Sequence, residues 1–145
     1  MKSLRVAIVG LAMALACAWN ARAAQIDAFT GGAVFGAASG VQTYFAQSTG
    51  GSKPLLQIFF FLANSHFLVQ LRDTGTGAGS AEYQGYTDGK KRAGHGTYAI
   101  HGGVLKMRAS GGFQFTASVA GSHIRLLCKD ATGTFSAAGR LQKFP

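Results

Sequence analysis

The residues best placed to do chemistry are Glu82, Tyr83, Tyr86, Asp88 and His95, gathered within fourteen positions of one another. A histidine beside a carboxylate can act as a general base. Glu82 and Asp88 are the only close carboxylate pair in a chain with five acidic residues, and carboxylate-pair hydrolysis needs two in one cleft. Asp88-Gly89 is also a turn dipeptide, and an aspartate there is used by its own backbone. The catalytic reading is therefore the alternative: a small secreted hydrolase or isomerase using His95 with Glu82 or Asp88. The run Gly75-Thr76-Gly77-Ala78-Gly79-Ser80 lacks the lysine and following helix of a phosphate loop, and reads as a flexible turn. Cysteine and the four scattered histidines do not make the usual four-ligand zinc set. His101 with His123 offers at most two ligands on a surface, so neither a metal nor a cofactor is expected.

The basic residues are more coherent. Lys90, Lys91 and Arg92 follow the Asp88-Gly89 turn directly, and Lys106, Arg108 and Arg125 fall at the polar positions of alternating segments. His101, His123 and Lys129 share that phase. If those segments are neighbouring strands, the charges gather on one outer surface and attract anions. Lipopolysaccharide, acidic polysaccharide, extracellular nucleic acid or an acidic protein are the candidate partners. Aromatic residues of the kind that stack on single-stranded bases are not interleaved with these charges. The leading reading is thus a non-catalytic binding or interaction protein with a basic outer face.

Elements that could position these groups are strands. In Phe113-Gln114-Phe115-Thr116-Ala117-Ser118-Val119 apolar and polar residues alternate, and His123 to Leu126, Thr97 to His101 and Leu105 to Arg108 repeat the pattern. Gly102-Gly103, Ser110-Gly111-Gly112 and Gly121-Ser122 are hairpin-length links between them. These features predict an all-β domain, a small antiparallel barrel or sandwich of about eight strands joined by short Gly-rich turns, with room for one short helix. Leu55 to Ala63 differs in being apolar on both faces. Such a strand requires cover on both sides, so Phe59 and Phe61 are expected to meet either another element or another molecule, a second copy included. Between Ala28 and Ser52 there is no charge. Gly32, Gly36 and Gly40 suit a loop leading to a strand over Val41 to Ala46, or a short helix over Phe59 and Phe61.

The N-terminus sets the compartment. Lys2 and Arg5 precede an uncharged, mostly apolar run from Val6 to Trp19, and Ala21-Arg22-Ala23 is a signal-peptidase pattern. Residues 1–23 read as a secretory signal, which leaves 24–145 as one β domain, exported to the bacterial periplasm or beyond. Lipid anchoring at Cys17 is disfavoured because Ala14 stands where a lipobox carries a branched apolar residue. Removal of the signal takes three positive charges from the +9 of the whole chain, together with Trp19 and Cys17. Cys128 is then left without a disulfide partner, and stability must come from a packed core. Segments of the form Gly-Thr-aromatic followed by Gly-x-apolar resemble those of small exported β barrels, lipocalin-like ones among them, although the lipocalin Gly-x-Trp is missing from the mature chain. No transmembrane segment is expected there. A transmembrane barrel is disfavoured as well, since Arg and Lys fall where lipid-facing residues would be needed.

Overall fold

The computed structural model describes residues 26–36, 41–49, 55–62 and 64–144; the segment expected to be a signal, Cys17 included, lies outside them. Ten antiparallel strands follow one another around a nearly closed barrel: β1 Gly31–Val34, β2 Val41–Ser48, β3 Leu55–Leu62, β4 Ser65–Arg72, β5 Ala78–Thr87, β6 Lys90–His101, β7 Val104–Ala109, β8 Gln114–Ala120, β9 His123–Asp130 and β10 Gly133–Arg140. Every strand is hydrogen-bonded to its neighbours in the chain, an up-and-down meander. The all-β expectation is met, with ten strands instead of eight. The Gly-rich stretch before β2 holds β1, which has little alternation to read, and the expected turn at Gly75–Ser80 already contains the start of β5. Among the described residues the helical structure is confined to Ile26–Asp27 and 3₁₀ turns at Thr74–Thr76 and Ser110–Gly112, and part of the stretch expected to hold a short helix lies outside them.

Barrel diameter grows with strand number, so ten strands enclose more space than eight and need larger side chains to fill it. Aromatic rings supply them. Phe60 stacks on Phe67 and Phe115 at centroid separations of 5.3 and 5.0 Å, and Phe113 lies 3.9 Å from Tyr83 with the rings nearly parallel. Phe29 and Tyr44 are also fully buried, amid Leu56, Ile58, Leu71, Leu105 and Ile124. The apolar side of each strand faces this interior, and the lysines and arginines of β7, β9 and β10 face outward. That polarity is the reverse of an outer-membrane barrel. No helix among the described residues is long and apolar enough to cross a membrane.

Cys128 belongs to the core at 1% exposure, and burial pushes its thiol pKa up to about 12. Thiolate is the reactive form, so the native protein is expected to resist iodoacetamide at mildly alkaline pH and to react once unfolded in urea. Mass spectrometry before and after denaturation reads this directly, and rapid labelling of the folded protein would contradict the placement.

Closure depends on the chain end more than on β10. Gly32 and Gln142 exchange backbone hydrogen bonds of 2.9 and 2.8 Å. Buried Leu141 donates its N–H to the Ser122 carbonyl, and Lys143 Nζ donates to the carbonyls of Asp27 and Ala28. Tyr44 in β2 donates its hydroxyl to the Phe29 carbonyl at 2.7 Å, holding the entry segment from inside. The β9–β10 turn is organised by Asp130, whose Oδ1 accepts from Thr132 N–H, Thr132 Oγ1 and Gly133 N–H. At the β5–β6 turn both Asp88 (φ 49°) and Gly89 (φ 76°) have the positive φ of a type I′ hairpin. Asp88 is thereby occupied in chain reversal.

Candidate functional site

Buried rings line the interior among the described residues, a pocket of about 240 Å³ opens at the end of the barrel beside the β3–β4, β5–β6 and β9–β10 turns, and on the outer wall strand register decides what meets. Side chains directly opposite on neighbouring strands form rows across the sheet. Phe61 of β3, His66 of β4, Tyr86 of β5 and Lys91 of β6 form one such row. The Phe61 and His66 ring centroids are 6.2 Å apart, and those of His66 and Tyr86 are 5.1 Å apart. Two residues along the strands, Phe45, Phe59, Leu68 and Gln84 make the next row. Backbone at Phe67 and Gly85 floors a groove of about 260 Å³ between the two rows. The groove thus joins Phe59 and Phe61, expected for apolar contact, with Lys91, expected for an anion. Of six large apolar side chains exposed among the described residues, all but Leu127 lie on this side of the barrel: Val34, Phe45, Phe61, Tyr86 and Phe144.

A different chemistry occupies the opposite wall. Lys106 and Arg108 project from β7, Arg125 and Lys129 from β9 and Arg140 from β10, all exposed. Register sets Arg108 in one row with Gln114 and Lys129, and Arg125 in another with Ser118 and Ala138. No carboxylate faces outward from the described residues of β7 to β10, since Asp130 is turned in. Charges two residues apart on one strand stand about 7 Å apart, and those two strands apart about 10 Å. Arg125 also borders an open trough of about 520 Å³ whose walls include the hydroxyls of Thr116, Ser118 and Ser136. His101 and His123 are exposed on the same wall. Among the described residues, no group of three or more His, Cys, Asp or Glu side chains is placed to hold a metal.

The three cations after the β5–β6 turn are dispersed. Lys90 is exposed at the hairpin end, Lys91 faces outward beside Tyr86, and Arg92 follows the inward phase of Gly94, Tyr98 and Ile100. Arg92 Nε is buried without a hydrogen-bond partner. Burial raises the pKa of nearby Tyr83, opposed by the positive charge of Arg92. Arg92 is consequently absent from the outer basic wall.

Glu82 and His95 are direct cross-strand partners, with His95 Nδ1 3.6 Å from Glu82 Oε2. Arg72 also holds Glu82, through an Nη2–Oε1 contact of 2.6 Å and a second bond from Nε. The imidazole is 86% exposed, on a wall where Gln47, Gln57 and Gln70 continue the same row. Asp88 is beyond the other end of the hairpin. Five residues of extended strand separate Glu82 from Thr87, about 17 Å, so Asp88 cannot share a proton with His95 directly or through one water. Arg72, Glu82 and His95 form a polar chain, and Glu82 and His95 border a surface pocket of about 190 Å³ together with Gln70, Tyr83 and Gln84.

These features define a class: an up-and-down antiparallel barrel with a ring-filled interior and two chemically distinct outer walls. Comparison with protein families, with curated proteins and with solved structures gives no match.

Proposed function

We propose that the protein is an exported, non-catalytic binding protein whose β7–β10 wall takes an anionic polymer. The observation that carries this reading is the segregation of charge: five Lys and Arg side chains and no outward carboxylate on four consecutive strands. A field of one sign on a continuous surface steers polyanions and releases their counterions on contact. Arg125, Lys106 and Arg108 are the principal contacts, and the hydroxyls beside Arg125 are donors to anionic oxygens. Acidic polysaccharide is the favoured class, because no exposed Phe, Tyr or Trp ring stands among these charges to stack a base.

Titration against dextran sulfate over a range of salt concentrations tests it. Affinity is expected to fall steeply with salt, by about 0.7–0.9 in log K per log salt for each anionic group engaged, on the scale established for nucleic acids. Neutralising Lys106, Arg108 and Arg125 together with Gln should weaken binding by at least about tenfold and flatten that slope. Lys91→Gln, across the barrel, should leave both unchanged. Salt-insensitive binding, or a triple variant that binds like the wild type, defeats the reading.

A further inference from the structure

The groove between β3 and β6 lies away from the basic wall and has a different chemistry. We propose that it is a binding site for a small planar aromatic acid, the ring system standing between two rows of side chains and the acid group at Lys91. Spacing carries the first part. The rows Phe61–His66–Tyr86 and Phe59–Leu68 are two residues apart along their strands, about 7 Å, which is twice the roughly 3.5 Å of carbon–carbon contact. One flat ring system standing on edge touches both walls at that separation. The groove's volume of about 260 Å³ suits a fused two-ring compound.

Charge carries the second part. Lys91 closes the groove beside Tyr86, and no aspartate or glutamate lines it. Its ammonium group is free for a ligand's carboxylate, since no ion pair joins it to a carboxylate of the described residues. A charge-assisted hydrogen bond there fixes the ligand's direction along the groove. Gln84, in the row that faces Tyr86 across the groove, adds an amide able to donate or accept. Phe61 and Tyr86 are each 45% exposed, so ring surface is available without any movement of the core. Ligand-facing aromatics on one side and a single cation at one end select an amphiphile with its charge at one edge.

The test uses naphthoate and its uncharged counterpart naphthalene methanol, titrated into the mature protein and followed by ligand fluorescence. Naphthoate is expected to bind saturably with a Kd below about 1 mM, and more tightly than the alcohol. Lys91→Gln should weaken naphthoate by about tenfold and leave the alcohol within about twofold. Tyr86→Ala and Phe61→Ala should weaken both compounds, and Lys106→Gln neither. All four side chains are exposed, and circular dichroism checks that the variants fold. Absence of saturable naphthoate binding overturns the proposal, as does a Lys91→Gln variant that affects acid and alcohol equally. A wild-type dimer that Phe61→Ser converts to monomer, measured by sedimentation, also overturns it by giving the groove to a second copy of the chain.

Discussion

Replacing Phe60 with Ala is expected to cost about 3–5 kcal/mol of stability, while the same change at Phe61 costs within about 0.5 kcal/mol. The residues are adjacent, identical in type and in one strand. Phe60 is 1% exposed and stacked among Phe67, Phe113 and Phe115, whereas Phe61 is 45% exposed on the outer wall. Truncating the inner ring removes its burial and leaves a void in a barrel too wide to close over it, because the hydrogen-bonded strands fix the diameter. Truncating the outer ring empties part of a surface groove that water fills. Urea unfolding midpoints, read by circular dichroism, separate the two variants. A reversed order, with Phe61→Ala the costlier change, would mean that β3 is turned by one residue, since such a slip exchanges the two faces of a strand.

Alkaline pH is expected to unfold the barrel steeply from about pH 10 upward, the ordinary titration range of tyrosine. Burial pushes the Tyr44 hydroxyl far above that range and the Tyr98 hydroxyl up to about 12. Both donate to backbone carbonyls, Tyr44 to Phe29 and Tyr98 to Arg72, so neither releases its proton readily while folded. In the unfolded chain both ionise near pH 10. Between the unfolded and folded values the native state holds more protons, and stability falls as pH rises. Each group contributes up to about 1.4 kcal/mol per pH unit. Below pH 10 both are protonated in either state, and they add no pH dependence. Tyr98→Phe should make the decline shallower by about one group's share, at the cost of one hydrogen bond, about 1 kcal/mol at neutral pH. Chemical denaturation repeated across the alkaline range measures the slope; a flat profile through pH 11 would refute the burial of these hydroxyls.

Much of the wall pattern was legible in the chain. Phe113 to Val119, Leu105 to Arg108 and His123 to Leu126 alternate strictly, and alternation puts Lys106, Arg108 and Arg125 on the outside of whatever sheet they form. The same rule would have placed Arg92 correctly. Tyr98 and Ile100 are the inward residues of β6, so even-numbered positions of that strand face in. The small residues Ala93, Gly94 and Gly96 hide this phase between the turn and Thr97. Arg140 was missed for a related reason: Ala137, Ala138 and Gly139 in β10 offer almost no contrast between faces. His66, Tyr86 and Leu68 join the groove only through register, because they come from two strands and meet Phe61 and Phe59 by hydrogen-bonded pairing.

The sequence by itself determined the secondary structure class and the face of each well-patterned strand, because a period of two is a local property that side-chain polarity records. It also marked Leu55 to Ala63 as apolar on both faces, and the structure places β3 over Leu55–Leu62 with Phe61 on the outer wall. Tertiary structure alone decided which residues of different strands share a row, and hence that Lys91 joins the aromatic side while Arg125 stands opposite. It alone decided which inward rings stack across the interior, since the number of strands sets the diameter and the diameter sets how many rings are required. And it separated Asp88 from His95, because distance along an extended hairpin grows by about 3.3 Å per residue. Local polarity is written residue by residue, whereas adjacency across a barrel depends on registers that no single segment contains.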